Sequence, residues 1–205
     1  MSEFLEKIDA KRNRILEAAL VEFADKGYKK ASTNTIVREA KVSKGLLFHY
    51  FISKKNLYIY IFKHAKDTVK NDTLEKINFL DSDVLSRLRT ATIAKADAYN
   101  NHKLFTKILE KHQLITDENI IKETSEIIIR NNEELFTKIF NNIDYYLFIE
   151  KININHSLKV IQWTIERITN DWKVDNNCKL TKRSLELLKM DVIRFLDLFT
   201  TAFYR

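Results

Sequence analysis

Positively charged side chains are concentrated in one short part of this 205-residue chain, from Tyr28 to Lys55, which we call the basic segment. It reads YKKASTNTIVREAKVSKGLLFHYFISKK, with seven lysines and arginines against one acid, for a net charge of +6. The whole chain carries +7 at pH 7, so the rest is nearly neutral. Cations gathered in this way neutralise phosphates. They indicate noncovalent binding of a nucleic acid.

Residues that could catalyse a reaction or hold a metal show no such organisation. Four histidines outside the basic segment lack a metal-ligand spacing such as His-x-x-x-His; they are His64, His102, His112 and His156. A glycine-rich phosphate loop is excluded, because the chain has only two glycines, Gly27 and Gly45. We therefore expect no enzymatic activity, no metal site and no cofactor.

Composition predicts an all-helical protein. The chain has no proline and two glycines, the residues that most often interrupt helices, while 45% of its residues are hydrophobic. Its single cysteine, Cys178, cannot form an internal disulfide, which is typical of a reducing compartment. The first residues do not resemble a signal peptide, and no apolar run approaches the roughly 18 residues of a membrane span. We expect a cytoplasmic protein without a membrane segment.

Helical periodicity and capping residues predict three helices at the start of the chain. The first two are expected at about Leu5 to Lys26 and about Asn34 to Ala40. Ser43 is the expected N-cap of the third, which runs to about Phe51. Gly27 is the expected C-cap of the first helix, since glycine readily adopts a left-handed conformation. Ser32 or Thr33 is the expected N-cap of the second helix. Two short helices joined by a tight turn form a helix-turn-helix, in which the third helix would enter the major groove.

The run from Ile15 to Leu57 resembles the N-terminal domain of the tetracycline-repressor (TetR) family of bacterial regulators. The shared markers, in order, are an apolar-Ala-Ala-apolar run ending in Phe23, Gly27-Tyr28, Ile36, Val42-Ser43-Lys44-Gly45, His49-Tyr50-Phe51, and Lys54 with Leu57. This set spans about 43 residues, roughly a fifth of the chain. The other four fifths carry no comparable motif.

The resemblance implies roles for residues around the predicted turn. Thr33 would bond a phosphate at the start of the second helix. Ser43 and Lys44 would contact the DNA backbone and a base edge. Gly45 would let the third helix approach DNA closely, and Leu46 would face the groove.

The resemblance also implies phosphate contacts further along the basic segment, with two departures from the family pattern. His49 and Lys54 would hold phosphates, and the Tyr50 hydroxyl could reach one from a ring that is mostly core. Phe48 stands where tyrosine is common, so one phosphate-bonding hydroxyl is absent. Lys41 stands where glycine is common; a left-handed lysine costs about 1 kcal/mol there, although it brings a cation toward DNA.

Beyond Ser53, alternating amphipathic runs and polar breaks predict six more helices, about nine in all. Their expected ranges are 54–76, 83–100, 102–113, 118–141, 155–174 and 181–203. The stretch from Tyr145 to Ile154 is rich in β-forming residues, but no other strand competes to pair with it. We predict a DNA-binding domain over 1–52 and a helical ligand-binding and dimerisation domain over 53–205.

The last two predicted helices each carry apolar residues on two faces. The main stripe, which we call the seam, consists of Leu158, Ile161, Ile165, Ile168, Trp172, Leu188, Val192, Phe195 and Phe199. Further apolar residues lie off the seam; they are Val160, Trp163, Leu187, Leu198 and Phe203. Two apolar faces predict burial on two sides, one against the body and one against a second copy. The resemblance implies a homodimer through these helices, and the seam is our predicted interface, although the sequence leaves open which face is covered.

Aromatic residues in the middle helices could line an effector pocket or simply fill the core. They are Tyr99, Phe105, Phe136, Phe140 and Trp163. The resemblance then implies a homodimeric transcriptional regulator, a repressor that a small apolar or amphipathic effector releases from a two-fold operator of double-stranded DNA. The alternative is a constitutive DNA-bound structural or partner-recruiting protein without an effector.

Overall fold

The computed structural model describes residues 2–176 and 179–205, including the side chains of all but residues 2–9, 173 and 174. Cys178, on which the redox expectation rests, lies outside the described residues. Nine α-helices and one 3-10 helix make up the regular structure of the described part. The prediction of an all-α fold is confirmed. No helix of this part is long and apolar enough to cross a membrane.

The helices follow one another through short connections. They are α1 (Ser2–Lys30), α2 (Thr33–Glu39), α3 (Lys44–Phe51), α4 (Lys54–Glu75), α5 (Val84–Asn101), α6 (Lys103–His112), α7 (Glu118–Phe140), α8 (Ile154–Asp175) and α9 (Lys182–Phe203). These bounds follow the predicted ranges closely, except in the first helix. There Gly27 is left-handed, with φ 71 and ψ 170, but the helix resumes after it and continues to Lys30. The predicted end of the first helix is therefore a kink.

The stretch rich in β-forming residues forms no strand in the described part of the chain. Tyr145–Leu147 makes a single 3-10 turn instead. Phe148 then forms an isolated antiparallel bridge with Tyr204, and the Ile149 N–H donates to the Phe203 carbonyl over 2.9 Å. Phe203 and Tyr204 thus pair with backbone groups of this stretch, which has no partner strand among the described residues.

The chain packs as two compact units. The first unit contains the residues up to Asp67 together with His102–Ile128, and the second contains Thr68–Asn101 and Ile129–Arg205. These packing units are not the predicted domains 1–52 and 53–205, and that functional division remains a proposal.

The core of the first unit is built on α1, which packs against α2, α3 and α6. Ile15, Ala19 and Phe23 of α1 have no exposed surface, and neither has Ile36 of α2 or Leu47 of α3. Each short helix thus contributes an apolar side chain to one shared core. Because helices of 7 and 8 residues are unstable alone, this core determines their orientation.

The second unit is organised by α9, which packs against α5 and α8, and by the buried side chain of Arg87. Only 2% of this arginine is exposed. Its guanidinium donates hydrogen bonds to the carbonyl oxygens of Phe79, Asp81, Ile139, Asn141 and Asn142. One cation thereby joins the end of α7 to the loop that follows α4.

Candidate nucleic-acid interface

Serine N-caps begin both helices of the helix-turn-helix. The Ser32 hydroxyl accepts a hydrogen bond from the Thr35 N–H over 3.4 Å. The Ser43 hydroxyl accepts one from the Leu46 N–H over 3.2 Å. These bonds satisfy N–H groups that the first turn of a helix leaves unpaired. Ser43 is the cap that the sequence predicted, and Ser32 rather than Thr33 caps α2.

The turn between α2 and α3 depends on a left-handed lysine. Lys41 has a φ of 53. Its N–H donates to the Arg38 carbonyl over 3.1 Å, and the Val42 N–H donates to the Val37 carbonyl over 3.0 Å. This reversal satisfies the last carbonyls of α2 and allows α3 to start two residues later. The conformation that the family pattern implied at Lys41 is therefore present.

A carboxylate on α1 fixes the start of α2. The Glu22 side chain accepts a hydrogen bond from the Ser32 N–H over 2.9 Å. This contact and the shared core hold α2 and α3 on α1. The outward face of α3 is consequently presented by a fixed scaffold, as recognition of a fixed DNA shape requires.

The outward face of α3 carries the residues for which the sequence predicted DNA contacts. Ser43, Lys44, Gly45 and His49 are exposed, while Leu46 and Phe48 are half-buried. A Cβ atom built on Gly45 would meet no heavy atom within 4 Å. No neighbour in the described chain therefore explains a glycine here, whereas close approach of an outside molecule would.

The remaining predicted contact residues lie closer to the protein. Thr33 is the first residue of α2 and is half-buried. Tyr50 is also half-buried, and its ring centroid lies 5.7 Å from that of His49 and 6.2 Å from that of Phe51. The structure therefore supports the expectation that this tyrosine is mainly a packing residue.

Lys54 contacts its own chain. Its Nζ lies 3.4 Å from the Lys29 carbonyl oxygen and 4.8 Å from the ring centroid of Tyr28. Burial lowers the pKa of the Lys54 ammonium. This lysine thus caps the last turn of α1 and joins it to the start of α4, a role that sequence reasoning missed because its partners lie 25 and 26 residues earlier.

Two other cations of the basic segment are already paired. Arg38 pairs with Glu39 at 3.0 Å, and Lys55 pairs with Glu123 of α7 at 2.7 Å. Exposed lysines remain at four positions, which are Lys29, Lys30, Lys41 and Lys44. The effective charge of this surface is therefore smaller than composition suggested. Its exposed lysines lie at the end of α1, at the turn and at the start of α3.

A buried histidine joins α4, α6 and α7 behind this surface. The His112 Nδ1 lies 3.2 Å from the Tyr58 hydroxyl, and its Nε2 lies 3.2 Å from the Thr124 hydroxyl. The Thr124 hydroxyl donates to the Ile120 carbonyl over 2.7 Å, so it accepts from a protonated Nε2. Tyr58 then donates to Nδ1. Burial lowers the pKa of His112 to about 4, with a further contribution from the charge of Lys66, and the imidazole is neutral at pH 7.

Helix α6 also contacts the kink in α1. The Lys111 ammonium donates to the Asp25 carbonyl. Its aliphatic side chain lies 3.7 Å from where a Cβ of Gly27 would be. The kink just before α2 is therefore covered by α6. Neither lysine spacing nor histidine spacing could have revealed these contacts, since they join residues far apart in sequence.

The arrangement can bind an anion. Hydroxyl, ammonium and imidazole groups on the outward face can hydrogen-bond to phosphates and base edges. Among the described residues, no group of three or more His, Cys, Asp or Glu side chains could hold a metal ion.

The five predicted effector residues lie in different environments. Tyr99 lines a cavity among α5, α8 and α9. Phe105 belongs to the first unit. Phe136 and Phe140 pack together in the core of the second unit, with centroids 5.4 Å apart, whereas Trp163 is 63% exposed. Of the five, only Tyr99 lines this cavity.

The seam on the last two helices lies mainly inside its own chain. The buried residues are Leu158, Ile161, Trp172, Val192 and Phe199. The half-buried ones are Ile165, Ile168 and Leu188. Phe195 is 39% exposed. Large apolar side chains also project outward from these helices, at Val160, Trp163, Leu187, Met190 and Leu198. The seam thus mostly faces the body, and which surface a second copy covers remains a prediction.

The family described as "Bacterial regulatory proteins, tetR family" matches residues 15–61, which contain most of α1, all of α2 and α3, and the start of α4. Residues 15–61 therefore carry the DNA-binding region that defines the TetR family. Two curated relatives are named as HTH-type transcriptional regulators. Over 73 residues this chain is 33% identical to the HTH-type transcriptional regulator HbdR of Aromatoleum sp. (strain CIB). The match covers 36% of this chain and 32% of HbdR.

A second relative is the HTH-type transcriptional regulator UidR of Escherichia coli (strain K12). It is 29% identical over 119 residues, covering 52% of this chain and 61% of UidR. The chain thus spans less than two thirds of the length of these curated relatives. Both are named as regulators rather than as enzymes.

Solved structures show the same fold. A putative TetR-family regulator from Rhodococcus sp. superposes with a TM-score of 0.71 at 14% identity, covering 94% of this chain and 99% of that one. The fatty acid degradation regulator FadR from Bacillus halodurans superposes with a TM-score of 0.65 at 16% identity, covering 89% of this chain and 94% of that one. At such identities the likeness establishes the fold, including the helices beyond the family match.

Proposed function

We propose that this protein is a cytoplasmic transcriptional repressor that binds a two-fold operator as a homodimer and is released by a small apolar or amphipathic effector. The outward face of α3 is the observation that carries the DNA-binding half of the proposal. It presents the exposed residues Ser43, Lys44, Gly45 and His49 and packs against α1 and α2. The effector half rests on family analogy and on the cavity in the second unit.

Recognition would begin at the N-terminus of α3. This end of the helix carries partial positive charge, and unpaired N–H groups there favour a phosphate. Lys44 would reach a base edge, and His49 would hold a phosphate one helical turn later. In a dimer, the two α3 helices would lie about 34–36 Å apart to enter successive major grooves.

The experiment that tests DNA binding begins by selecting duplexes from a random pool with the purified protein. Affinity for the selected duplex is then measured by fluorescence anisotropy at several salt concentrations. Lys44→Ala should weaken binding by about 1–3 kcal/mol if the lysine reads a base. The matched control, Lys159→Ala, removes an exposed lysine from α8 and should bind normally. Equal affinity of wild type and Lys44→Ala would disprove the assignment of α3.

Gly45→Ala separates close approach from folding. The new methyl group meets open space in the protein, and alanine is the better helix former. The variant should therefore unfold at equal or higher denaturant concentration while binding the selected duplex more weakly. Unchanged DNA affinity would show that this part of α3 does not approach DNA.

Lys54 has two possible roles that salt dependence can distinguish. A lysine that contacts a phosphate should, when changed to methionine, reduce the slope of log K against log salt by about 0.9. A lysine that only positions α1 against α4 should weaken binding with the slope unchanged. The sequence predicts the first outcome, a reduced slope. The contact with the Lys29 carbonyl indicates that part of the loss in affinity should come from the positioning of α1 against α4.

The dimer surface that we propose is the outward face of α8 and α9. On α9, Leu187, Met190 and Leu198 follow helical spacing and are 50%, 47% and 57% exposed. On α8, Val160 and Trp163 are exposed with the same periodicity. Together with Phe195, these side chains form an apolar surface of the kind that helices bury against a partner.

Sedimentation analysis tests this surface. Leu198→Glu should shift a wild-type dimer toward monomer, because a charge buried in an apolar interface is costly. Ile129→Glu on α7 is the matched control, since Ile129 is 56% exposed and Leu198 is 57% exposed. A wild-type monomer at micromolar concentration, or equal dissociation in both variants, would contradict the proposal.

The switch could act through α6. Helix α5 ends at Asn101 and α6 begins at Lys103, so the helix that lines the cavity leads directly into the helix that covers the α1 kink. A ligand that shifts α6 would disturb the support of α2 and α3. Coupling of this kind is typically about 1–3 kcal/mol and is reciprocal, so operator DNA should weaken effector binding equally. The alternative, a constitutive DNA-bound protein, predicts no such coupling.

A further inference from the structure

The cavity in the second unit lies among three helices and has a volume of about 90 Å³. One water needs roughly 15 Å³ of such space, so the cavity could hold several waters or a small organic molecule. The walls come from α5, α8, α9 and the residue Leu180 before α9. All of these belong to one compact unit.

Most of the lining is apolar. The apolar lining residues are Ala96, Ile165, Trp172, Leu180, Leu185, Leu188 and Val192. Trp172 is held in place by its indole N–H, which donates to the Ser184 carbonyl over 3.0 Å. A ligand that fills this space would therefore have a short hydrocarbon part.

The charged residues that line the cavity are two lysines. Lys95 projects from α5 and Lys189 from α9, and none of the described lining residues is an acid. Lys189 forms an ion pair at 2.5 Å with Glu186, which is not a lining residue, and its side chain is 23% exposed. A group entering the cavity would therefore meet two ammonium groups on different helices.

The uncharged polar groups add a further preference. The Thr92 hydroxyl donates to the Leu88 carbonyl and the Thr169 hydroxyl donates to the Ile165 carbonyl, each over 2.8 Å. Their hydrogens are already used. Burial raises the pKa of the Tyr99 phenol to about 12, so this group adds no negative charge to the cavity.

We infer that this cavity binds a small organic acid, with its hydrocarbon part against Trp172 and the α9 leucines and its carboxylate toward Lys95 and Lys189. This inference deepens the proposed function by naming the chemical class of the effector. Two ammonium groups favour an anion and disfavour a cation of the same size. A neutral alcohol would fill the same space without the charge-assisted bonds.

Three probes with one hydrocarbon chain and different heads test the inference directly. Hexanoate, 1-hexanol and hexylamine are titrated into the full-length protein by isothermal calorimetry. We expect hexanoate to bind at least about tenfold more tightly than 1-hexanol, the equivalent of one charge-assisted hydrogen bond. Hexylamine should bind most weakly.

Lysine variants locate the carboxylate. Lys95→Met and Lys189→Met retain most of the hydrocarbon stem and remove the charge, so each should weaken hexanoate binding by about tenfold and leave 1-hexanol unchanged. Lys182→Met, an exposed lysine at the start of the same α9 helix, is the matched control and should bind hexanoate normally. As a second check, Ala96→Leu should fill the space and abolish binding of all three probes.

Several outcomes would overturn the inference. Hexylamine or 1-hexanol binding as tightly as hexanoate would refute the preference for an acid. Wild-type affinity in both lysine variants would refute the location, and no binding of any probe would refute the site. Operator binding without probe is measured on the same proteins. If the protein bound hexanoate but not DNA, the proposed regulatory function would be contradicted. If it bound DNA but not hexanoate, only the inference of an organic-acid effector would be contradicted.

Discussion

The end of α2 in the first unit and the end of α7 in the second unit satisfy their last carbonyl groups in different ways. At the end of α2, backbone N–H groups of Lys41 and Val42 turn back onto Arg38 and Val37. At the end of α7, the Arg87 guanidinium from α5 donates to carbonyls more than 50 residues away in sequence. Both arrangements pair the orphan groups that every helix end has.

The two solutions leave different residues free. A backbone solution uses no side chain, so Lys41 can remain exposed for an outside partner. At the end of α7, the guanidinium of a buried arginine makes the hydrogen bonds, so two segments far apart in sequence depend on one residue. The first suits a surface that must contact DNA, while the second suits a body that must stay folded.

The largest effect is expected at Arg87. Arg87→Met would remove the charge and leave carbonyls of the α4–α5 loop and the α7 end without a donor in the protein interior. We expect a loss of about 4 kcal/mol in unfolding free energy. Urea unfolding followed by circular dichroism measures it. Hydrogen exchange should show amides near Asn141 and Asn142 losing protection first.

Arg89→Met is the matched control on the same helix. Arg89 pairs with Asp197 at 2.6 Å, but its side chain is 31% exposed and that of Asp197 is 63% exposed. Such pairs contribute about 0–1 kcal/mol. If the two variants lost similar stability, the special role of the buried arginine would be disproved.

The second largest effect concerns His112 and acid. Its pKa is lowered from 6.5 to about 4 in the folded protein, so folding favours the neutral form. The stabilisation is complete above pH 6.5 and is lost as the pH falls from 6.5 toward 4. The total is about 3 kcal/mol. Acid should therefore weaken the first unit, which contains His112.

His112→Gln isolates this effect, since glutamine retains polar atoms and does not titrate. Unfolding free energy is measured between pH 4 and 7.5 for both proteins. The difference in unfolding free energy between wild type and variant should shrink as the pH falls. The protection factors of amides around Arg87 should stay constant. A difference that does not vary with pH would show that the histidine is not held neutral.

The sequence predicted best where structure is local. Ser43 and the turn at Lys41 were predictable because their partners lie three to five residues away. Lys54, Lys55 and His112 were misjudged or passed over, because their partners are 12 to 68 residues away. Helical period likewise reveals that α9 has two apolar faces, but only the packed structure shows that Val192 points inward and Leu198 outward.

A smaller effect is expected at Ile52, after the end of α3. This β-branched residue has a φ of 63, and the Ser53 N–H contacts the Phe51 carbonyl at 2.6 Å across it. The three residues form a tight γ-turn, which is strained for any residue with a Cβ. Because Ile52 is 77% exposed, Ile52→Gly should raise the unfolding free energy by about 1 kcal/mol. A loss of stability would mean that the side chain packs in solution.

The smallest effect on stability is expected at Lys41, where the two demands on the α2–α3 turn conflict. Lys41→Gly relieves a left-handed lysine, which costs about 1 kcal/mol. Glycine's greater freedom in the unfolded chain offsets part of this, so we expect a net gain of about 0.5 kcal/mol. The same change removes an exposed cation, so affinity for the selected duplex should fall and its salt dependence should flatten.

Ile52→Gly is the matched control, because it relieves backbone strain without changing charge and should leave the slope of log K against log salt unchanged. If Lys41→Gly bound DNA as tightly as wild type at every salt concentration, the lysine would be a feature of the turn alone. If both variants lost affinity with unchanged slopes, the strained backbone at the two ends of α3 would itself position the helix for recognition.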